Sequence, residues 1–285
     1  MGWWVAGRCL WGMLVVMVWG GTLWAQGIRF APLPLERRET VEAQFQPLAG
    51  YLSQQLGVPV TLVLLSDYAM VLEYFRQGRV DLAYLGPLPY VQLRRSFAQA
   101  HPLVMFREPS GAASYTCAVV GMLGEVQGLA GLEERRIALT QPLSTCGFFA
   151  TDLVLRRHGS ALARNSFFYA GSHTDALLAV ARGSAHLAGA KATIAWKFQK
   201  LGLTILDESE PLPGFALVAN GNTLSQEQRQ AIVQAMMAAD QRLREGADLG
   251  WGEPARHGCV PASDADYQRV RQLLEESGQE PWEGL

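Results

Sequence analysis

The chain has 285 residues, enough to bury a full core and to form one large domain or two of ordinary size. Its formal net charge of −2 argues against nucleic acid as partner, because binding a phosphate backbone needs a concentrated basic surface. The basic pairs Arg37/Arg38, Arg94/Arg95, Arg135/Arg136 and Arg156/Arg157 are scattered and read as solvated surface.

Residues 1–25 stand apart. One positive side chain, Arg8, precedes an apolar run from Leu10 to Trp24 broken only by Thr22, and after Ala25 the chain turns polar. That is the layout of a secretory signal peptide cleaved after Ala25, with an uncleaved anchor as the alternative. No later stretch is long enough to span a bilayer. Export leaves Cys117, Cys146 and Cys259, which permits one disulfide and one free thiol without fixing the pairing. No CxxC or Cys/His spacing suggests zinc, so neither metal nor cofactor is expected.

After the leader, strands alternate with helices, the pattern of an α/β fold with largely parallel sheets. Residues 28–31 read as a strand. Residues 41–56 place Phe45, Leu48, Ala49, Leu52 and Leu56 near helical spacing and stop at Gly57. A strand over 60–65, a helix over 68–76 and a strand over 80–85 follow, and Gly86-Pro-Leu-Pro89 turns into a helix near Tyr90. Residues 116–121 form a strand leaving this first unit. The second unit runs strand 136–140, helix 147–157, strand 166–169, helix 174–182, strand 185–190 and strand 203–206. A strand over 215–219 returns to the first unit, Ser225 caps a helix to about Arg244, and 267–277 is the last helix. The expected organisation is 26–115 as the first part of lobe 1, 116–213 as lobe 2, and 214–285 as the return to lobe 1. Ligands of open sheets bind where strand ends meet helix starts, which here means the cleft between the lobes.

Two tracts would line that cleft: Gln141-Pro-Leu-Ser-Thr-Cys-Gly147 and, about 25 residues on, Gly171-Ser-His-Thr-Asp175. Each reads as a strand end, a hydroxyl-rich turn and the first turn of an apolar helix. A helix N-terminus carries unpaired N–H groups and roughly half a positive charge, so it suits an oxyanion. Ser144, Thr145, Ser172 and His173 add side-chain donors. Ser and Thr are also preferred as plain helix caps, so the tracts by themselves leave both readings open.

Several segments together resemble the periplasmic substrate-binding components of phosphate, phosphite and phosphonate ABC importers, the PhnD-like family. They are Phe45-Gln-Pro-Leu-Ala49 with Leu56-Gly-Val-Pro-Val60, Tyr68 to Glu73 with Gly86-Pro-Leu-Pro-Tyr90, Ser144-Thr-Cys-Gly147, Gly171-Ser-His173, and Val260-Pro-Ala-Ser-Asp-Ala-Asp-Tyr267. The resemblance spans roughly 28–275, with Cys146 where the family usually has Ser. It implies a two-lobed periplasmic-binding-protein fold, type II-like. The implied function is capture of a small phosphorus oxyanion in the periplasm for an ABC permease in the inner membrane, by a monomer that does no chemistry. It places Tyr90, Ser144, Thr145 and His173 at positions resembling oxyanion-binding ones and Tyr68 at that of a cleft tyrosine. His173 would donate to the anion, more strongly once protonated below about pH 6.5. Family members that bind aminoalkylphosphonates place acidic residues near the ammonium, whereas this chain has Lys191-Ala-Thr193 and Phe215 in those regions. Two alternatives remain: a ligand-sensing partner of a membrane signalling receptor, and an enzyme using Cys146, whose place at a helix start could lower its pKa.

Overall fold

The computed structural model describes Met1 and residues 27–278 except Gln127, so the cleavage site expected after Ala25 lies outside the described residues. Two sheets carry the chain. The first holds, in spatial order, Cys259–Pro261, Ala100–Phe106, Ala216–Asn220, Leu82–Leu85, Ile28–Pro32 and Val60–Leu62. The second holds Leu203–Glu208, Cys117–Met122, Leu187–Lys191, Arg136–Leu139 and Ser166–Tyr169. The chain passes between them twice, and the two passages run side by side as an antiparallel ribbon, Ser114–Tyr115 with Leu212–Pro213. This is an α/β, two-lobed architecture.

Both sheets are mixed rather than largely parallel. Ile28–Pro32 and Arg136–Leu139 pair in parallel with both neighbours, as strand–helix–strand units dictate. Cys117–Met122 and Ala216–Asn220 are instead antiparallel to theirs. Each of these arrives from the other lobe, starts at the cleft edge and must run away from it, against the strands that end there.

Local chemistry sets the helices. Arg38–Leu56 buries Val41, Phe45, Leu48, Ala49 and Leu52 along one face and ends on Gly57 in the left-handed conformation. Asp67 caps Tyr68–Arg76 by accepting the Met70 N–H, and Ser225 with Gln228 forms a capping box at the start of Gln226–Arg244. Pro87 and Pro89 sit in the first turn of Pro87–Ser96, where a missing N–H leaves no helical bond unmade. Among the described residues no helix is long and apolar enough to cross a membrane.

Ala100–Phe106 is a strand that the hydrophobic pattern hid, because it contains Pro102. That residue lies beside an irregularity where the partner register shifts between Leu217 and Val218, so its missing N–H is tolerated. The last helix, Gln268–Ser277, packs Val270 and Leu273 into the first lobe's core. Just before it, the Tyr267 hydroxyl donates to the Gly214 carbonyl at 3.1 Å.

Candidate functional site

Two strand ends and two helix starts in lobe 2 build one wall of the cleft. Arg136–Leu139 runs into a tight segment, and a helix then opens with a widened π turn over Thr145–Ala150 before continuing as Thr151–Arg157. Gly147 is required there: a Cβ would stand 2.0 Å from Thr140 Oγ1, so only glycine lets the helix start press onto the strand end. After Ser166–Tyr169, Gly171 at φ +91° turns the chain so that Ser172 caps His173–Ala181. Cys146 is joined to Cys117, the first residue of the strand that enters this lobe, which ties the helix start to the sheet.

Tyr68, Ser144, Thr145 and His173 converge on one cavity, with Leu33, Gly86, Pro89, Tyr115, Cys146, Lys191 and Phe215 completing its wall. The lobes have closed on it, leaving about 10 Å³, close to the room that one water needs. Bonds across the cleft hold this state. Leu88 N–H donates to Thr145 Oγ1 at 3.1 Å, Tyr68 N–H to Gln141 Oε1 at 2.9 Å, and His173 N–H to the Leu35 carbonyl at 3.2 Å. Arg37 and Asp175 pair across it at 2.7 Å.

The polar groups of the cavity are biased toward donation. Ser144 Oγ accepts the Gly147 N–H at 2.9 Å and Thr145 Oγ1 accepts that of Leu88, so each hydroxyl keeps its own proton to give. Ser144 is therefore both a helix cap and a cavity donor. The Tyr68 hydroxyl meets that of Ser144, and burial pushes its pKa well up, so it stays a neutral O–H. His173 Nδ1 accepts the Lys191 N–H at 3.2 Å, which leaves the ring proton on Nε2. Burial, aided by the Lys191 ammonium, holds the imidazole down at about 3. The expected gain from protonating His173 near pH 6.5 is therefore corrected: the ring acts as a neutral donor, because charging it in this dry site next to a lysine is unfavourable.

Tyr90 stands apart from the other four. Its ring packs on Tyr267 with centroids 4.5 Å apart, and its hydroxyl donates to Asp264 at 2.6 Å, outside the cavity wall. Being third in the turn that follows Pro87, it faces back into lobe 1 while Gly86 and Pro89 face the cleft. Tyr115 is the residue that sequence reasoning missed. It lines the cavity, is only 4% exposed, and among the described residues its hydroxyl has no hydrogen-bond partner of ordinary geometry, although Thr145 is near. A single aromatic in the passage between lobes carries no periodic signal; only its place next to the crossing strand could have marked it. Glu108 was missed as well: this acid reaches Lys191 Nζ at 2.5 Å from the opposite lobe. Phe215 forms cavity wall, stacked on Tyr84 with rings 13° from parallel.

The disulfide removes Cys146 as a thiolate, so the nucleophile on which an enzymatic reading rested is absent. Among the described residues the free thiol is Cys259, which lies buried in lobe 1, where burial pushes it up to about 12.

The family described as ABC transporter, phosphonate, periplasmic substrate-binding protein matches residues 30–267. The chain belongs to this family. It is similar to the phosphate-import protein PhnD of Mycolicibacterium smegmatis, with 28% identity across 90% of this chain and 88% of that one. Its fold resembles that of PhnD1 from Prochlorococcus marinus, solved with methylphosphonate, at TM-score 0.77 and 15% identity over 90% of this chain and 99% of that one. A binding-protein component of an ABC phosphonate transporter from Pseudomonas aeruginosa superposes at TM-score 0.74 with 22% identity, over 89% and 87% of the two chains. Chains of this family serve importers as substrate-binding components.

Proposed function

We propose that the protein captures a small phosphorus oxyanion without an amine (phosphate, phosphite or a short phosphonate) and delivers it to an inner-membrane permease. The observation that carries this reading is the donor bias of the cavity. Ser144, Thr145, Tyr68, Tyr115 and His173 Nε2 all carry protons at the cavity, and Ser144 Oγ, Thr145 Oγ1 and His173 Nδ1 each already accept one backbone N–H. Such a set matches an oxyanion and leaves an uncharged or cationic guest with unpaired donors. The substrates that two relatives are named for or solved with, phosphate and methylphosphonate, support the same class.

In this reading lobe 1 comprises 26–115 and 214–285, lobe 2 comprises 116–213, and the ribbon of Ser114–Tyr115 and Leu212–Pro213 is the hinge about which they close. The mature chain works as a periplasmic monomer after loss of residues 1–25, without cofactor and without catalysis. The leader pattern in the sequence and the family support that location.

Titration calorimetry of ligand-stripped protein against phosphate, phosphite, methylphosphonate, sulfate and 2-aminoethylphosphonate tests it. An amine-free phosphorus oxyanion is expected to bind at least tenfold more tightly than 2-aminoethylphosphonate, a gap of about 1.4 kcal/mol. The reason is that Lys191 stands at the cavity wall, where an ammonium would need a free carboxylate. Preference for sulfate or for the aminophosphonate overturns the assignment.

A further inference from the structure

Lys191 belongs to two spaces. It lines the closed anion cavity, and it also lines a larger chamber of about 380 Å³ on its other side, walled by Glu36, Arg37, Arg107, Glu108 and Lys197 among others. Toward the cavity, its ammonium stands 5.2 and 5.3 Å from the ring centroids of Tyr115 and Phe215. Toward the chamber, it pairs with Glu108, and Thr193 Oγ1 lies 3.5 Å from the second oxygen of that carboxylate. Lys191 ends a strand of lobe 2, whereas Glu108 follows a strand of lobe 1, where its N–H donates to the Ala112 carbonyl. The pair therefore forms only when the lobes close. Both side chains are then largely shielded, at 13% and 10% exposure.

Much of the rest of the anion cavity's wall is closely packed. Leu33, Tyr68, Tyr115, Cys146 and Phe215 are all buried in packed cores. The chamber behind Lys191, which that residue shares with the cavity, is an open volume that a substituent on phosphorus could reach. To enter it, the substituent must part Lys191 from Glu108 and strand two shielded charges, a strongly unfavourable change.

We propose that the Lys191–Glu108 pair is the partition that sets ligand size. It shuts the anion cavity off from the chamber on closure, so that phosphorus oxyanions with bulky substituents are rejected. The inference rests on the oxyanion reading above and adds to it a residue pair that decides selectivity within that class.

Phosphite and phenylphosphonate, titrated by calorimetry into ligand-stripped wild type and into the double variant Lys191→Ala/Glu108→Ala, give the test. The double change opens the partition without leaving a lone buried charge. Wild type is expected to prefer phosphite by at least a hundredfold, and the double variant to narrow that ratio at least tenfold through tighter binding of phenylphosphonate. Glu108→Gln keeps the shape of the partition but frees Lys191 from its ion pair. It should narrow the ratio by a smaller factor, and it decides the matter if melting curves show the double variant to be unfolded. A ratio that is unchanged in the folded variant, or a wild type that binds both anions alike, overturns the partition and leaves the oxyanion reading standing. A wild type that binds neither anion, nor phosphate, overturns both.

Discussion

Lobe 1 packs its sheet into one continuous core with large rings such as Phe30, Phe45, Phe75, Tyr84 and Phe106, while lobe 2 divides its apolar residues between two smaller cores. One of these, with Ala118, Ala138, Ala188 and Ala190, is mostly alanine; the other holds Val119, Ile137, Leu139 and Leu187. Along Cys117–Met122 and Arg136–Leu139 residues alternate between them, so they lie on opposite faces of the second sheet. Three of the cavity's donors come from this lobe with its small side chains: Ser144, Thr145 and His173. Lobe 1 supplies the hydroxyls of Tyr68 and Tyr115 together with a firm aromatic wall. The contrast shows how a polar helix start is held where little side-chain volume is available to hold it. Cys146, Phe149 and Ala150 lean on the large core of the opposite lobe, and Cys146 is bonded to the sheet through Cys117.

The disulfide matters most. It closes a loop with a sequence separation of 29, for which chain entropy alone gives about 3–4 kcal/mol. Cys117→Ala/Cys146→Ala should lower the calorimetric melting temperature and weaken anion binding together. Loss of stability with unchanged affinity would separate the bond from the site. Iodoacetamide should label neither these cysteines nor Cys259 in the native oxidised protein.

Acid should expose the second weakness of lobe 2. His173 has an ordinary pKa near 6.5 when unfolded and about 3 when folded, so the unfolded chain binds its proton first. Its contribution is complete above about pH 6.5 and is lost as pH falls from there toward 3, at up to about 1.4 kcal/mol per unit. Denaturant melts between pH 7 and 4.5 should show wild type losing more stability than His173→Gln. Parallel pH curves for the two proteins would contradict a buried neutral imidazole.

Smaller effects come from single hydroxyls. Ser144→Ala and Thr145→Ala should each weaken anion affinity by roughly 1–3 kcal/mol, the usual loss when a hydrogen-bond partner is stranded. Equal affinity in both variants would place the anion elsewhere. Tyr115→Phe should have the least effect and an informative sign. Without ligand it removes an unpartnered buried hydroxyl and should leave stability unchanged or slightly raised, while affinity falls by about 1 kcal/mol. A drop in ligand-free stability would mean that the hydroxyl has a structural partner.

Much of this protein was legible in its sequence wherever neighbours along the chain decide the outcome. The helices over Tyr68–Arg76 and Gln226–Arg244 were readable because a cap, an apolar stripe and a stop signal all lie within one segment. The hydroxyl-rich helix starts at Ser144 and Ser172 were readable for the same reason. What lay beyond it depended on residues far apart in sequence. The antiparallel course of Ala216–Asn220 follows from where the chain re-enters lobe 1, and the strand at Pro102 survives because its partner's register shifts. The turning of Tyr90 toward Asp264, the arrival of Tyr115 beside Thr145, and the pairing of Lys191 with Glu108 join positions 174, 30 and 83 residues apart. Such contacts are set by how two separately packed lobes meet, and no local pattern of polarity encodes that meeting.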